Sequence, residues 1–276
     1  LAVREFPEDQ YVFFATAQGM VKKVQLSAFK NVRSQGIKAI ALKEGDYLVG
    51  AAQTSGSDDI MLFSNLGKAI RFNEYWEKSG NDEAEDADIE TEISDDLEDE
   101  TADNENALPS GKHGVRPSGR GSGGLRGMRL PADGKIVSLI TFAPEAAQSD
   151  LQVLTATANG YGKRTPIADY SRKNKGGQGN IAINTGERNG DLVAATLVGE
   201  TDDLMLITSG GVLIRTKVEQ IRETGRAAAG VRLINLDEGE QLVSLERVAE
   251  EPEDASASGE ENTTESNVTT EDNTPQ

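Results

Sequence analysis

One motif recurs four times along the 276 residues: an apolar strand, a tight turn ending in glycine, and a return strand carrying a base. It reads YVFFATAQGMVKKV at 11–24, DIMLFSNLGKAIRF at 59–72, LQVLTATANGYGKRT at 151–165 and LMLITSGGVLIRT at 204–216. The anchor glycines are Gly19, Gly67, Gly160 and Gly211, separated by 48, 93 and 51 residues. The long interval becomes regular if the acidic stretch after Lys78 is an insertion of roughly 40 residues. A repeat of this length marks stacked-unit folds, because one small sheet cannot bury both faces by itself.

Glycine at the turn supplies the positive φ that two-residue hairpins need, most clearly at Asn159-Gly160 and Gly210-Gly211. Each repeat continues through a glycine-containing loop to a third strand: 37–42, 125–130, 180–185 and 231–236. A fourth follows at 46–53, 135–142, 191–198 and 240–248. Four strands per unit is the content of a propeller blade. Sustained helical spacing of apolar residues is missing, so helix is minor. The expected fold is all-β and propeller-like, with about four four-stranded blades near 1–57, 58–148, 149–201 and 202–249. Residues 79–112 read as a disordered acidic insertion and 250–276 as a disordered acidic tail, too poor in apolar side chains to offset chain entropy.

The formal net charge of −19 argues against a polyanion partner until its distribution is seen. Residues 81–106 hold 14 Asp and Glu, residues 250–276 hold 9, and neither span has a Lys or Arg. The remainder sets 24 acids against all 28 Lys and Arg, a basic body with two acidic appendages. No run approaches the length of a membrane span, so no membrane partner is expected. The opening LAVREFPEDQ lacks a leader pattern, and without an initiator Met it is expected to begin inside a longer polypeptide. Cysteine is absent, which excludes disulfides and thiolate metal sites and suits a reducing cytosol.

No catalytic constellation emerges. The single histidine, His113, borders the acidic insertion and reads as a loop residue. Gly119, Gly121 and Gly124 match a dinucleotide fingerprint by spacing, but no strand precedes them and no helix follows. No metal-binding loop pattern occurs among the acids. Bases in repeated positions remain. Lys22, Lys23, Lys68, Arg71, Lys163, Arg164, Arg215 and Lys217 lie on return strands. Arg33, Arg120, Arg126, Arg129, Arg172, Lys173, Lys175, Arg226 and Arg232 lie in or beside the loops, with Lys30, Arg116 and Arg222. Taken singly, each is an ordinary solvated charge. If every blade presents them on one edge, stacking draws a curved positive stripe that suits the backbone of bent duplex DNA. A protein-interaction scaffold with the same architecture is the alternative.

The strings LTATANGYGKRT (154–165), ERNG (187–190), ATAQGMVKK (15–23), IMLFSNLGKAIRF (60–72), GLRGMRL (124–130) and LVSLERVAE (242–250) fall in order at the right spacings. In these the chain resembles the C-terminal DNA-wrapping domain of DNA gyrase A subunits, over about 1–78 and 113–250. The resemblance implies a β-pinwheel, with a strand exchanged between neighbouring blades. It implies non-sequence-specific wrapping of duplex DNA on the basic rim, within an ATP-dependent type II topoisomerase that introduces negative supercoils. It also implies a noncatalytic segment with no cofactor or metal of its own, ATP and Mg belonging to the partner B subunit. The implied partners are the A-subunit N-terminal domain and the B subunit in an A2B2 assembly, in the bacterial cytoplasm at the nucleoid. The family pinwheel has six blades and this chain resembles the last four. The signature heptapeptide of the first blade, Gln-Arg-Arg-Gly-Gly-Lys-Gly in type, does not occur. The related topoisomerase IV subunit is therefore the nearest rival.

Overall fold

The structure is a computed structural model and describes residues 2–76 and 114–248. His113, the expected insertion over 79–112 and the expected tail over 250–276 lie outside the described residues. The strands are β1 (Tyr11–Thr16), β2 (Met20–Gln25), β3 (Leu48–Thr54), β4 (Asp59–Ser64), β5 (Lys68–Asn73), β6 (Leu125–Arg126), β7 (Ile136–Phe142), β8 (Gln152–Thr157), β9 (Tyr161–Pro166), β10 (Asn180–Ile181), β11 (Leu192–Val198), β12 (Asp203–Thr208), β13 (Leu213–Lys217), β14 (Val231–Arg232) and β15 (Leu242–Val248). Short 3₁₀ turns follow three return strands, at Leu26–Phe29, Ile167–Asp169 and Val218–Gln220.

Each repeat forms an antiparallel hairpin, and its last strand pairs back onto the first strand of that hairpin. The fourth member of the sheet comes from the next repeat. Strand β6 pairs with β2, β10 with β5, and β14 with β9, giving the sheets β3-β1-β2-β6, β10-β5-β4-β7 and β11-β8-β9-β14. This is the exchange that the resemblance implied. The last sheet, β13-β12-β15, has three strands rather than the expected four, since no described segment supplies a further donation. The expected strand at 37–42 forms none for the complementary reason: the described residues hold no preceding hairpin to receive it.

The donated strands are also shorter than expected. Only two residues of each make ladder pairs, because the anchor glycine takes over the bonding. Gly19 O accepts from Gly127 N and Met128 N at 2.8 and 3.1 Å, Gly67 O from Ala182 N and Ile183 N at 2.8 and 3.2 Å, and Gly160 O from Leu233 N and Ile234 N at 2.8 and 3.3 Å. At all three the φ is positive, and a Cβ would come within 2.3–2.8 Å of a donated carbonyl. Glycine is therefore required twice over, by the turn and by the crossing strand. Gly211 has φ +83 and nothing within 4 Å of a Cβ, because its sheet lacks the donated strand.

The core lies between sheets rather than within one. Phe13, Ile60, Leu62 and Phe72 pack between the first two sheets, Phe63, Val153 and Tyr170 between the second and third, and Leu154, Leu204 and Leu245 between the third and fourth. Backbone bonds stitch the same joints: Ile136 N to Ala17 O, Leu192 N to Asn65 O and Leu242 N to Ala158 O, at 2.7–2.8 Å. A hairpin strand so placed is covered on both faces. That covering decides what its bases can do.

Candidate nucleic-acid interface

Four residues past each anchor glycine stands a base, and in the first three repeats it turns inward. Lys23 Nζ donates to Glu74 O at 2.8 Å and sits 3.7 Å from the Glu74 carboxylate. Burial lowers the Lys23 ammonium and raises the Glu74 carboxyl, each opposed by the other's charge. Arg71 donates through Nε and Nη2 to Asp59 Oδ2 at 2.8 and 2.6 Å, and through Nη1 to Tyr170 O at 2.8 Å. Arg164 Nε donates to Ile221 O at 2.6 Å. Tyr170 and Ile221 end the 3₁₀ turns of the following repeats, so these arginines pin one blade to the next. Arg215, in the last repeat, finds only Asp203 of its own hairpin, at 2.6 Å, and remains exposed.

The residue three past the glycine alternates Lys22, Ile70, Lys163, Ile214. Both lysines are buried. Lys22 Nζ donates to the carbonyls of Ala39, Arg120 and Ser122 at 3.0, 2.6 and 2.8 Å. Lys163 Nζ donates to the carbonyls of Gly225 and Arg226, both at 2.6 Å. Each ammonium thus holds a loop that carries one of the expected rim arginines. Burial brings both down to about 8 from an ordinary 10.5, with Lys38 adding to the effect at Lys22. In this direction the folded chain binds fewer protons than the unfolded one, so the two sites raise stability as pH climbs from 8 toward 10.5. Urea midpoints taken between about pH 8 and about pH 10 should show the wild type gaining on a Lys22→Met/Lys163→Met variant. Parallel curves would mean that neither ammonium titrates in that window.

The expectation that return-strand bases face outward is thus corrected at Lys22, Lys23, Arg71 and Lys163, which are buried, and at Arg164, which is nearly so. Arg172, placed beside a loop, also turns in, with Nε 2.9 Å from Asp59 Oδ1. Desolvated in this way, they bond within the fold to loops and to the next blade. Arg33, Arg126, Arg215, Lys217 and Arg232 are exposed, and Lys68, Arg120, Arg129, Lys173, Lys175 and Arg226 are half-buried. Burial lowers the Lys175 ammonium. Arg126 and Arg232 occupy the donated strands, the outermost of their sheets, where Arg126 faces Met20 and Arg232 faces Tyr161. The second sheet has Asn180 and Ile181 at that edge, opposite Ala69 and Lys68 on β5. The sequence reading missed Arg188, whose guanidinium carbon stands 4.4 Å from the Tyr161 ring centroid. Its signal was present in the ERNG string. Among the described residues no cluster of His, Asp or Glu is arranged to hold a metal, and no helix is long and apolar enough to cross a membrane.

A family model described as the DNA gyrase C-terminal domain, beta-propeller, matches residues 10–55, 58–75, 113–143, 152–198 and 202–249, well over half of the chain. The chain belongs to the DNA gyrase C-terminal domain family. The DNA gyrase A protein of Neisseria gonorrhoeae is 93% identical over 256 residues, which are 93% of this chain and 28% of that protein. Its counterpart from Escherichia coli K12 is 40% identical over 250 residues, 91% of this chain and 24% of that one. The chain therefore spans about a quarter of the length of the curated gyrase relatives it matches. A solved gyrase A C-terminal domain superposes with a TM-score of 0.65 at 22% identity, covering 90% of this chain and 68% of its own. The C-terminal domain of a DNA topoisomerase IV superposes at 0.69 and 21% identity, covering 89% and 64%. The two structures share the fold, and the close identity to gyrase A sets the topoisomerase IV reading aside.

Proposed function

We propose that this gyrase segment binds and bends duplex DNA by charge and shape, along the edge made by its donated strands and the loops beside them. The observation that carries the reading is that edge: Arg126 and Arg232 sit exposed on the outermost strands, while the loops carrying Arg120 and Arg226 are fixed from inside by Lys22 and Lys163. Phosphate contacts from such bases carry no sequence information, so binding is non-specific. Bending a site by 40–90° costs on the order of 1–6 kcal/mol, which several phosphate contacts offset. In the parent protein the segment would present wrapped DNA to the N-terminal cleavage domain of the same chain, with the B subunit, ATP and Mg supplying the driven step in an A2B2 assembly at the nucleoid. It would thereby favour negative supercoils.

Fluorescence anisotropy with a labelled duplex tests this over a salt titration. The logarithm of the association constant should fall linearly with the logarithm of salt, by about 0.9 for each phosphate neutralised, and alike for unrelated sequences. Absence of binding at low salt would overturn the reading and favour a protein-interaction scaffold.

A further inference from the structure

Beside the third anchor glycine, two guanidiniums converge on one phenol. Tyr161 opens β9 and lies opposite Arg232 of the donated β14. Arg232 Nη2 donates to Tyr161 Oη at 2.8 Å, and its guanidinium carbon is 5.3 Å from the ring centroid. Arg188 reaches the same ring, at 4.4 Å, from the loop closed by the Gly186–Gly190 bridge. That loop is firmly held. Asn159 Nδ2 donates to the carbonyls of Glu187 and Arg188 at 3.0 and 3.1 Å. Asn189, itself buried, donates to the carbonyls of Asn184 and Ala229 at 2.6 and 2.8 Å, tying the Arg188 loop to the residues that lead into β14.

The charge balance at this point differs from that of other arginines. Arg71, Arg215 and Arg247 each face an aspartate within 3.4 Å. Arg232 has neutral acceptors, Tyr161 Oη and Asn235 Oδ1, and among the described residues neither Arg188 nor Arg232 has a carboxylate at ion-pair distance. Two exposed cations held against one ring repel each other, and an anion between them relieves that repulsion. Planar guanidinium forks match the oxygens of a tetrahedral phosphate, and both arise from anchored backbone. The arrangement belongs to one blade, since the residues equivalent to Tyr161 in the first two sheets are Met20 and Lys68.

We propose that Arg188, Tyr161 and Arg232 form a seat for one phosphate group, which in duplex DNA is a backbone phosphodiester. The backbone part rests on the function proposed above; the oxyanion chemistry does not. Tyr161 reports on the seat, because the hydrogen bond from Arg232, and then the Arg188 guanidinium beside the ring, holds its phenol below the usual tyrosine range. A bound phosphate cancels that field and moves the phenol back up.

The test compares the full chain with its Arg188→Gln/Arg232→Gln variant in two measurements, after circular dichroism confirms that the variant is folded. In duplex binding, the variant should lose one phosphate's worth of salt dependence, a log–log slope shallower by about 0.9. In ultraviolet titration of Tyr161, isolated by subtracting a Tyr161→Phe chain, inorganic phosphate should raise the phenol midpoint relative to chloride at equal ionic strength. That rise should vanish in the variant. An unchanged slope together with no phosphate-dependent shift overturns the seat. A shift without a change of slope overturns its use by DNA and leaves a site for free phosphate. Failure of the wild type itself to bind duplex at low salt overturns the functional reading instead, and the tyrosine titration then decides the seat alone.

Discussion

Asp59→Ala should lower the unfolding free energy by about 3–5 kcal/mol, a large share of what holds a domain of this kind together. Asp59 is fully buried at the start of β4, and its carboxylate is set against two arginines. Arg71 donates to it twice, Arg172 approaches it at 2.9 Å, and Asn73 Nδ2 donates to its other oxygen at 2.9 Å. Removing it leaves the buried Arg71 guanidinium without its carboxylate, and a buried charge without its partner costs far more than the pair contributes net. Asp203 is the control, at the same place in the last repeat. Its partner Arg215 is 64% exposed, so Asp203→Ala should cost under about 1 kcal/mol. Urea denaturation of both variants at low and high salt measures the contrast. The Asp59 effect should persist in salt, because its charges are shielded from counterions. Equal costs at the two aspartates would show that the second blade does not depend on its internal ion cluster.

Gly67→Ala is the second large effect, expected at about 2–6 kcal/mol from positive-φ strain and forced overlap together. A methyl group there would stand 2.3 Å from Ile183 O, which is main chain and cannot swing aside. The donated strand β10 must back away, and the bonds from Ala182 N and Ile183 N to Gly67 O weaken with it. Gly211→Ala, at φ +83 with nothing within 4 Å, carries the backbone strain alone and should cost about 1–2 kcal/mol. Thermal unfolding ranks the two, and hydrogen exchange at Ala182 and Ile183 reports whether the exchanged strand has loosened. Matching midpoints, with protection at those amides intact, would show that strand exchange contributes little to stability.

Much of the architecture could be read from the residues in order. The hairpins, their turn glycines and the fourth strands at 135–142 and 191–198 are local patterns, each set within a dozen residues by alternating apolar side chains and by glycine's tolerance of positive φ. The interface was legible only in part. Lys22, Lys23, Arg71 and Lys163 were expected on the rim because bases recur on the return strands and stacked blades could present them along one edge. Here Lys23 and Arg71 turn toward the next blade, while Lys22 and Lys163 are covered by loops, at Ala39, Arg120 and Ser122 and at Gly225 and Arg226.

The amino-acid order by itself determined the repeat, the all-β elements and the gyrase family signature, since these follow from short-range spacing and from motifs carried intact. Only the tertiary structure decided which strand belongs to which sheet and which of the many bases remain in water. Pairing with a strand from the next repeat and burial under its loops are contacts between residues some fifty or more positions apart. A charge at a given strand position becomes a staple or a free edge according to what those distant residues place above it.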